Sequence, residues 1–144
     1  VRRTTTNVSA LKGKPLPDLT SLGFAADAAP AGKPVLLCLI DVQQRPSRRM
    51  VRLLTLQQDD LREKGVTVLA AQIVPASNES WDDWKETNPF FFPISRLAEK
   101  SDKTKWASGL ENLPWLILAD RKGIVVDEGF PLEELEDKLQ EVDK

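Results

Sequence analysis

Few side chains in this 144-residue chain could do covalent chemistry, and most of them lie close together. A single cysteine, Cys38, precedes the polar word Gln43-Gln44-Arg45-Pro46-Ser47, which runs on into Arg48 and Arg49. There is no histidine, so the commonest general base and the commonest metal ligand are both missing. One cysteine can form neither an intrachain disulfide nor a Cys-x-x-Cys pair, and no metal or other cofactor is expected. Ser47 could become a nucleophile only with help from a Lys, Asp or Glu. Cys38 lies within an apolar run, where desolvation raises a thiol's pKa and limits access, so it reads as core packing. Arg45, Arg48 and Arg49 could grip an anion or an acidic partner where helix N–H groups are free. Cations are unfavourable at that end of a helix, and solvated surface arginines are the plainer reading.

The elements that would carry these residues follow from the apolar pattern. Val35-Leu-Leu-Cys-Leu-Ile40 is an unbroken apolar run beginning just after Gly32-Lys-Pro34, the mark of a strand buried on both faces. Polar and turn-forming residues follow from Gln43 to Arg49. Helical spacing of Met50, Val51, Leu53, Leu54, Leu56 and Leu61 then predicts a helix over Ser47–Lys64, stopped by Gly65. Chemistry and ligands in open α/β folds gather at such a strand-to-helix turn.

Val66–Val74 predicts a second central strand. A short helix runs to Asn88, with Trp81 and Trp84 on one face, and Pro89–Pro93 is extended. A weakly periodic stretch, Leu97–Ser108, predicts another helix. Trp115–Ala119 and Gly123–Asp127 read as a hairpin joined by Asp120-Arg-Lys-Gly, and Pro131–Lys144 as an acidic amphipathic helix. Trp81, Trp84 and Trp106 read as packing and Trp115 as core or site rim. The order β-α-β-α-(α)-β-β-α requires a mixed sheet with helices on both faces, because right-handed crossovers make its first half parallel.

The totals set outer limits. The length suits one domain, expected over residues 13–144 behind a polar, Thr-rich lead-in or linker at 1–12. A formal net charge of -2 and the lack of a basic, aromatic-interleaved stripe argue against nucleic acid as a partner. No apolar stretch approaches the roughly 18 residues of a membrane span. Beginning at Val1, the chain reads as a processed form or as one domain of a longer protein.

The element order and four local words resemble the thioredoxin fold. More narrowly, they resemble the extracytoplasmic TlpA/ResA-like, AhpC/TSA-related branch of thiol–disulfide oxidoreductases. The words are Gly13-Lys-Pro-Leu-Pro-Asp18, Gly32-Lys-Pro-Val-Leu-Leu37, Asn112-Leu-Pro-Trp-Leu-Ile-Leu-Ala-Asp-Arg-Lys-Gly123 and the closing helix. The resemblance spans residues 13–142 and implies a three-layer α/β/α sandwich whose mixed sheet ends in an antiparallel hairpin. It also implies a cis Leu113–Pro114 bond beside the redox turn and a periplasmic or secreted location. It places Gln44 where the family has its attacking cysteine and Ser47 where it has the resolving one, with Pro46 in its usual place.

Disulfide exchange requires a thiolate, and an amide cannot replace it. The expectation is therefore a redox-inactive thioredoxin-like module that contacts a protein or peptide through Gln44–Arg49 and Leu113–Pro114, within a larger extracytoplasmic protein. The alternative is an atypical thiol oxidoreductase or peroxidase-like enzyme working through Cys38.

Overall fold

The computed structural model describes residues 12–16, 19–22, 24, 28–29, 32–73, 78–87, 92–96 and 113–142. Strand β1 is Val35–Ile40, helix α1 Arg45–Glu63, strand β2 Thr67–Gln72 and helix α2 Asn78–Thr87. Strands β3 (Ile94–Arg96), β4 (Trp115–Ala119) and β5 (Val125–Glu128) follow, then a 3-10 turn at Leu132–Glu134 and helix α3, Leu135–Val142. The five strands form one sheet in the order β3-β2-β1-β4-β5.

β1 lies at the centre. It pairs in parallel with β2, Cys38 opposite Ala70, and antiparallel with β4, Cys38 opposite Leu116. A strand hydrogen-bonded on both sides and covered on both faces has no solvent-facing position, so its sequence shows no polar alternation. Every residue of β1 is buried. Leu36, Cys38 and Ile40 face a cluster completed by Val51, Leu54 and Leu61 of α1, Trp81 and Trp84 of α2, and Leu132, Leu135 and Val142 near the C-terminus. Val35, Leu37 and Leu39 face the other way, onto Leu69, Ala71, Ile117, Ala119 and Phe24, with Leu16, Leu19 and Trp115 at the margin.

Several boundaries differ from expectation. α1 begins at Arg45 rather than Ser47, so what reads as a seven-residue loop is a short turn that ends at Gln44. Pro46 in the first helical turn presets the backbone there and has no N–H to leave unpaired. β3 pairs in parallel with β2, Ala70 opposite Ile94, where no strand was expected. Three residues are too short a run to show a period. β5 starts two residues late because Gly123 and Ile124 close the turn on Asp120, and the β4–β5 register shifts at Leu118/Ala119. The closing helix opens as a 3-10 turn instead of running continuously from Pro131. Trp106, the Leu97–Ser108 helix and nearly all of the 1–12 lead-in fall outside the described residues.

Gly65 ends α1 in the left-handed region, φ +81, and its N–H closes on the Arg62 carbonyl at 3.0 Å. α3 is tied to β5 by Lys138, 2.8 Å from Asp127, with both side chains largely covered. Burial raises the Asp127 carboxyl's pKa. The Lys138 hydrogen bond, the Glu128 N–H and the charges of Lys138 and Lys12 outweigh it and hold the carboxyl below its usual range. A carboxyl lowered in the folded state adds stability above its unfolded pKa of about 3.9, and that stability is lost as pH falls through the folded value. Urea melts from pH 7 down to pH 3 should show this acid loss, and Lys138→Met should flatten it while costing about 1 kcal/mol at neutral pH.

Candidate functional site

Where β1 ends, the apolar run gives way to Asp41, and the chain turns over Val42 and Gln43 into α1. Asp41 is buried, and its carboxylate collects amides. Oδ1 accepts from the Gln43 backbone N–H at 3.1 Å, from Gln43 Nε2 at 3.4 Å and from Gln72 Nε2 at 3.1 Å. Oδ2 accepts from Gln44 Nε2 at 3.1 Å. Gln72, the last residue of β2, is fully buried and also accepts the Val42 N–H on Oε1 at 2.8 Å.

Other backbone groups of the turn are engaged as well. The Asp41 N–H donates to Ser47 Oγ at 2.9 Å, and the Gln44 N–H to the Asp41 carbonyl at 2.9 Å. Arg48 Nη1 donates to the Val42 carbonyl at 2.9 Å, and the Arg48 N–H to the Gln44 carbonyl at 3.2 Å. The result is a clasp of amides around one carboxylate, closing the ends of β1 and β2 onto the start of α1. Buried polar groups are tolerated only when partnered, and this set is partnered throughout.

The residues singled out in the sequence therefore divide. Gln44, Arg45, Pro46 and Arg49 are exposed at the mouth of the turn. Arg48 is half-buried and engaged with Val42. Ser47 has no exposed surface, and its oxygen accepts a backbone N–H from Asp41. Asp41 and Gln72 are the residues that motif reading passed over. Their signal was present: one acid ending an apolar strand, and one amide ending the second strand.

The antiparallel register, Leu39 opposite Trp115, brings Leu113–Pro114 to the same edge of the sheet as the turn. The Leu113–Pro114 bond is cis. Trp115 stands at this rim, half-buried, its indole N–H donating to Glu128 Oε1 at 3.2 Å. The ring lies over Gly129. A Cβ there would come within 2.4 Å of the indole, and the backbone has φ +73, so only glycine suits the position.

Cys38 points away from this edge into the α1 side of the core and is wholly inaccessible. Burial pushes its thiol pKa far up. Among the described residues no group of acidic or cysteine side chains is arranged to hold a metal ion, and no helix is long and apolar enough to cross a membrane.

The whole architecture can be set beside solved structures. A domain of a possible thiol-disulfide isomerase from Cytophaga hutchinsonii superposes with a TM-score of 0.67 at 19% identity, over 92% of this chain and 93% of that one. The thioredoxin domain of a thiol-disulfide oxidoreductase from Bacteroides vulgatus gives 0.61 at 18% identity, over 76% and 79%. A thiol-disulfide oxidoreductase from Bacteroides fragilis gives 0.60 at 19%, over 78% and 82%.

The chain has a thioredoxin-like fold. No protein-family model matches it, and no curated protein matches it in sequence. In this thioredoxin-like sheet the clasp occupies the strand-to-helix turn at which the resemblance places the redox motif.

Two outcomes follow from the geometry. Gln72→Leu strands the buried Val42 N–H and removes a donor from Asp41, so chemical denaturation should show a loss of about 2–3 kcal/mol, against under about 1 kcal/mol for the exposed Gln44→Ala. Cys38 keeps its proton when folded but loses it when unfolded above about pH 8.5. Stability should therefore fall by about 1.4 kcal/mol per pH unit beyond that point, a slope that Cys38→Ala abolishes in paired alkaline urea melts.

Proposed function

We propose that this chain is a redox-inactive thioredoxin-like module that binds a protein or peptide, one domain of a larger extracytoplasmic protein. Residues 13–144 form that domain, with 1–12 leading into it. The contact surface is the exposed part of the turn, Gln44–Arg49, together with Leu113–Pro114 at the adjoining edge.

One observation carries this reading. At the two positions that the resemblance assigns to cysteines stand an exposed amide and a buried hydroxyl, and the hydroxyl is committed to the Asp41 N–H. Neither can attack a disulfide, because exchange proceeds through a thiolate and a mixed disulfide. The lone thiol is not a substitute, since it is buried in β1 with its pKa raised. The exposed Arg45 and Arg49 beside the first turn of α1 suit an acidic contact in the partner. Periplasmic or secreted placement is inferred from the named neighbours, which are thiol–disulfide proteins.

The test pairs an activity with a binding map. The purified chain should reduce insulin disulfides no faster than the thiol reagent alone, whereas Gln44→Cys/Ser47→Cys should gain catalysis on the same scaffold. NMR titration with an acidic peptide should move amides within Gln44–Arg52 and Leu113–Trp115. Turnover by the unaltered chain at thioredoxin-like rates would overturn the first half of the proposal, and shifts scattered over other surfaces would overturn the second.

A further inference from the structure

The outward face of α1 carries charge that opposes its own helix. Its first turn holds Arg45 and no acid, and Arg49 and Arg52 follow, while Asp60 and Glu63 stand in its last turns, beside an Asp59 that is paired with Arg62. A helix is electropositive at its N-terminus and electronegative at its C-terminus, so both groups sit where an isolated helix disfavours them. The same face exposes Leu56, 76% accessible and the one large hydrophobic side chain left bare among the described residues.

At about 100° per residue, Arg45, Arg49, Arg52, Leu56, Asp60 and Glu63 fall on one narrow stripe opposite the buried Ser47, Val51, Leu54 and Leu61. The side chains of Arg45, Arg49, Arg52 and Glu63 join no ion pair among the described residues. Among the described residues, the Asp60 carboxylate makes only an exposed contact with Lys64, at 3.2 Å.

The stripe is complementary to itself. Counted outward from Leu56, Arg52 and Asp60 lie four residues away on opposite sides, and Arg49 and Glu63 seven. We propose that α1 is the contact face of a two-fold symmetric homodimer, in which α1 of a second copy lies antiparallel with Leu56 against Leu56 on the axis. Arg52 then faces the other copy's Asp60, and Arg49 its Glu63, each pair occurring twice as an isologous contact requires. The basic end of one helix meets the acidic end of the other, and the two dipoles oppose. A charge order unfavourable in one helix becomes favourable in the pair.

The 19-residue helix is only about 28 Å long and offers less surface than a tight interface needs. The dimer is therefore weak, with Kd on the order of 0.1 mM, and it loosens with salt because its ion pairs are exposed. It leaves Gln44 and Leu113–Pro114 free but shares Arg45 and Arg49 with the binding surface proposed above, so the two are read separately, self-association by sedimentation and peptide contact by amide shifts.

Sedimentation velocity on the unaltered chain, from about 20 µM to about 1 mM, should show monomer giving way to dimer at low salt and returning to monomer near 0.5 M sodium chloride, where about 4 Å of screening remains. Arg49→Glu/Arg52→Glu and Asp60→Arg/Glu63→Arg should each abolish self-association, weakening it at least tenfold. Mixing the two variants should restore a dimer containing one copy of each. Their charges then suit the helix dipole, so their melting temperatures should hold or rise, which separates lost association from lost fold. Mild oxidation of Leu56→Cys should yield a disulfide-linked dimer, the native thiol being buried. A chain that stays monomeric at about 1 mM, or a dimer indifferent to charge reversal and unrestored by mixing, overturns the proposal.

Discussion

A single buried carboxylate organises one end of this molecule. Asp41 closes the central strand, and around it the chain turns, the second strand terminates and the long helix begins. It is held by amide N–H groups, with no lysine or arginine among its described partners. Amides that can point only one way make such a site directional. They fix the Val42–Gln43 turn in one conformation, and with it the angle at which α1 leaves the sheet. Ser47 and Arg48 complete the arrangement from the helix side by engaging the Asp41 N–H and the Val42 carbonyl.

This geometry explains how a thioredoxin-like sheet can hold its shape without sulfur at the strand-to-helix turn. A buried serine hydroxyl, a buried glutamine spanning two strands and the Asp41 carboxylate together engage the N–H groups of Asp41, Val42 and Gln43, and Pro46 brings no N–H to the first helical turn. The apolar layers then need only follow, and they do: β1 alternates between the two core clusters residue by residue. α1 joins both roles, packing one face on β1 and β2 while its outer face carries the inverted charges.

Much of this was legible in the sequence. The uninterrupted run of β1 announced a doubly covered strand, the helical spacing of Val51, Leu54 and Leu61 announced the buried face of α1, and the Trp115 and Val125 runs announced the hairpin. β3 was not legible, because its pairing comes from β2 alongside it and not from its own three residues. The expected start of α1 falls two residues late because its polar first turn reads as loop, whereas the bonds of Asp41 and Gln72 hold the preceding turn so that the helix begins at Arg45. Hydrogen bonds between residues some thirty positions apart leave no periodic trace, so the clasp is visible only in three dimensions. Local words alone led to Gln44–Ser47 as the turn of interest. They could not give those residues' physical role, since whether Ser47 is a nucleophile or a strut depends on what it faces.

The placement of the sole thiol gives the chain a property of its own. Cys38 sits midway along the central strand with no accessible surface, so a thiol reagent can reach it only when the core between that strand and α1 opens. The rate at which Cys38 is labelled under native conditions thus counts openings of that core directly. The molecule carries its own clock for conformational escape, with no probe to be engineered into it.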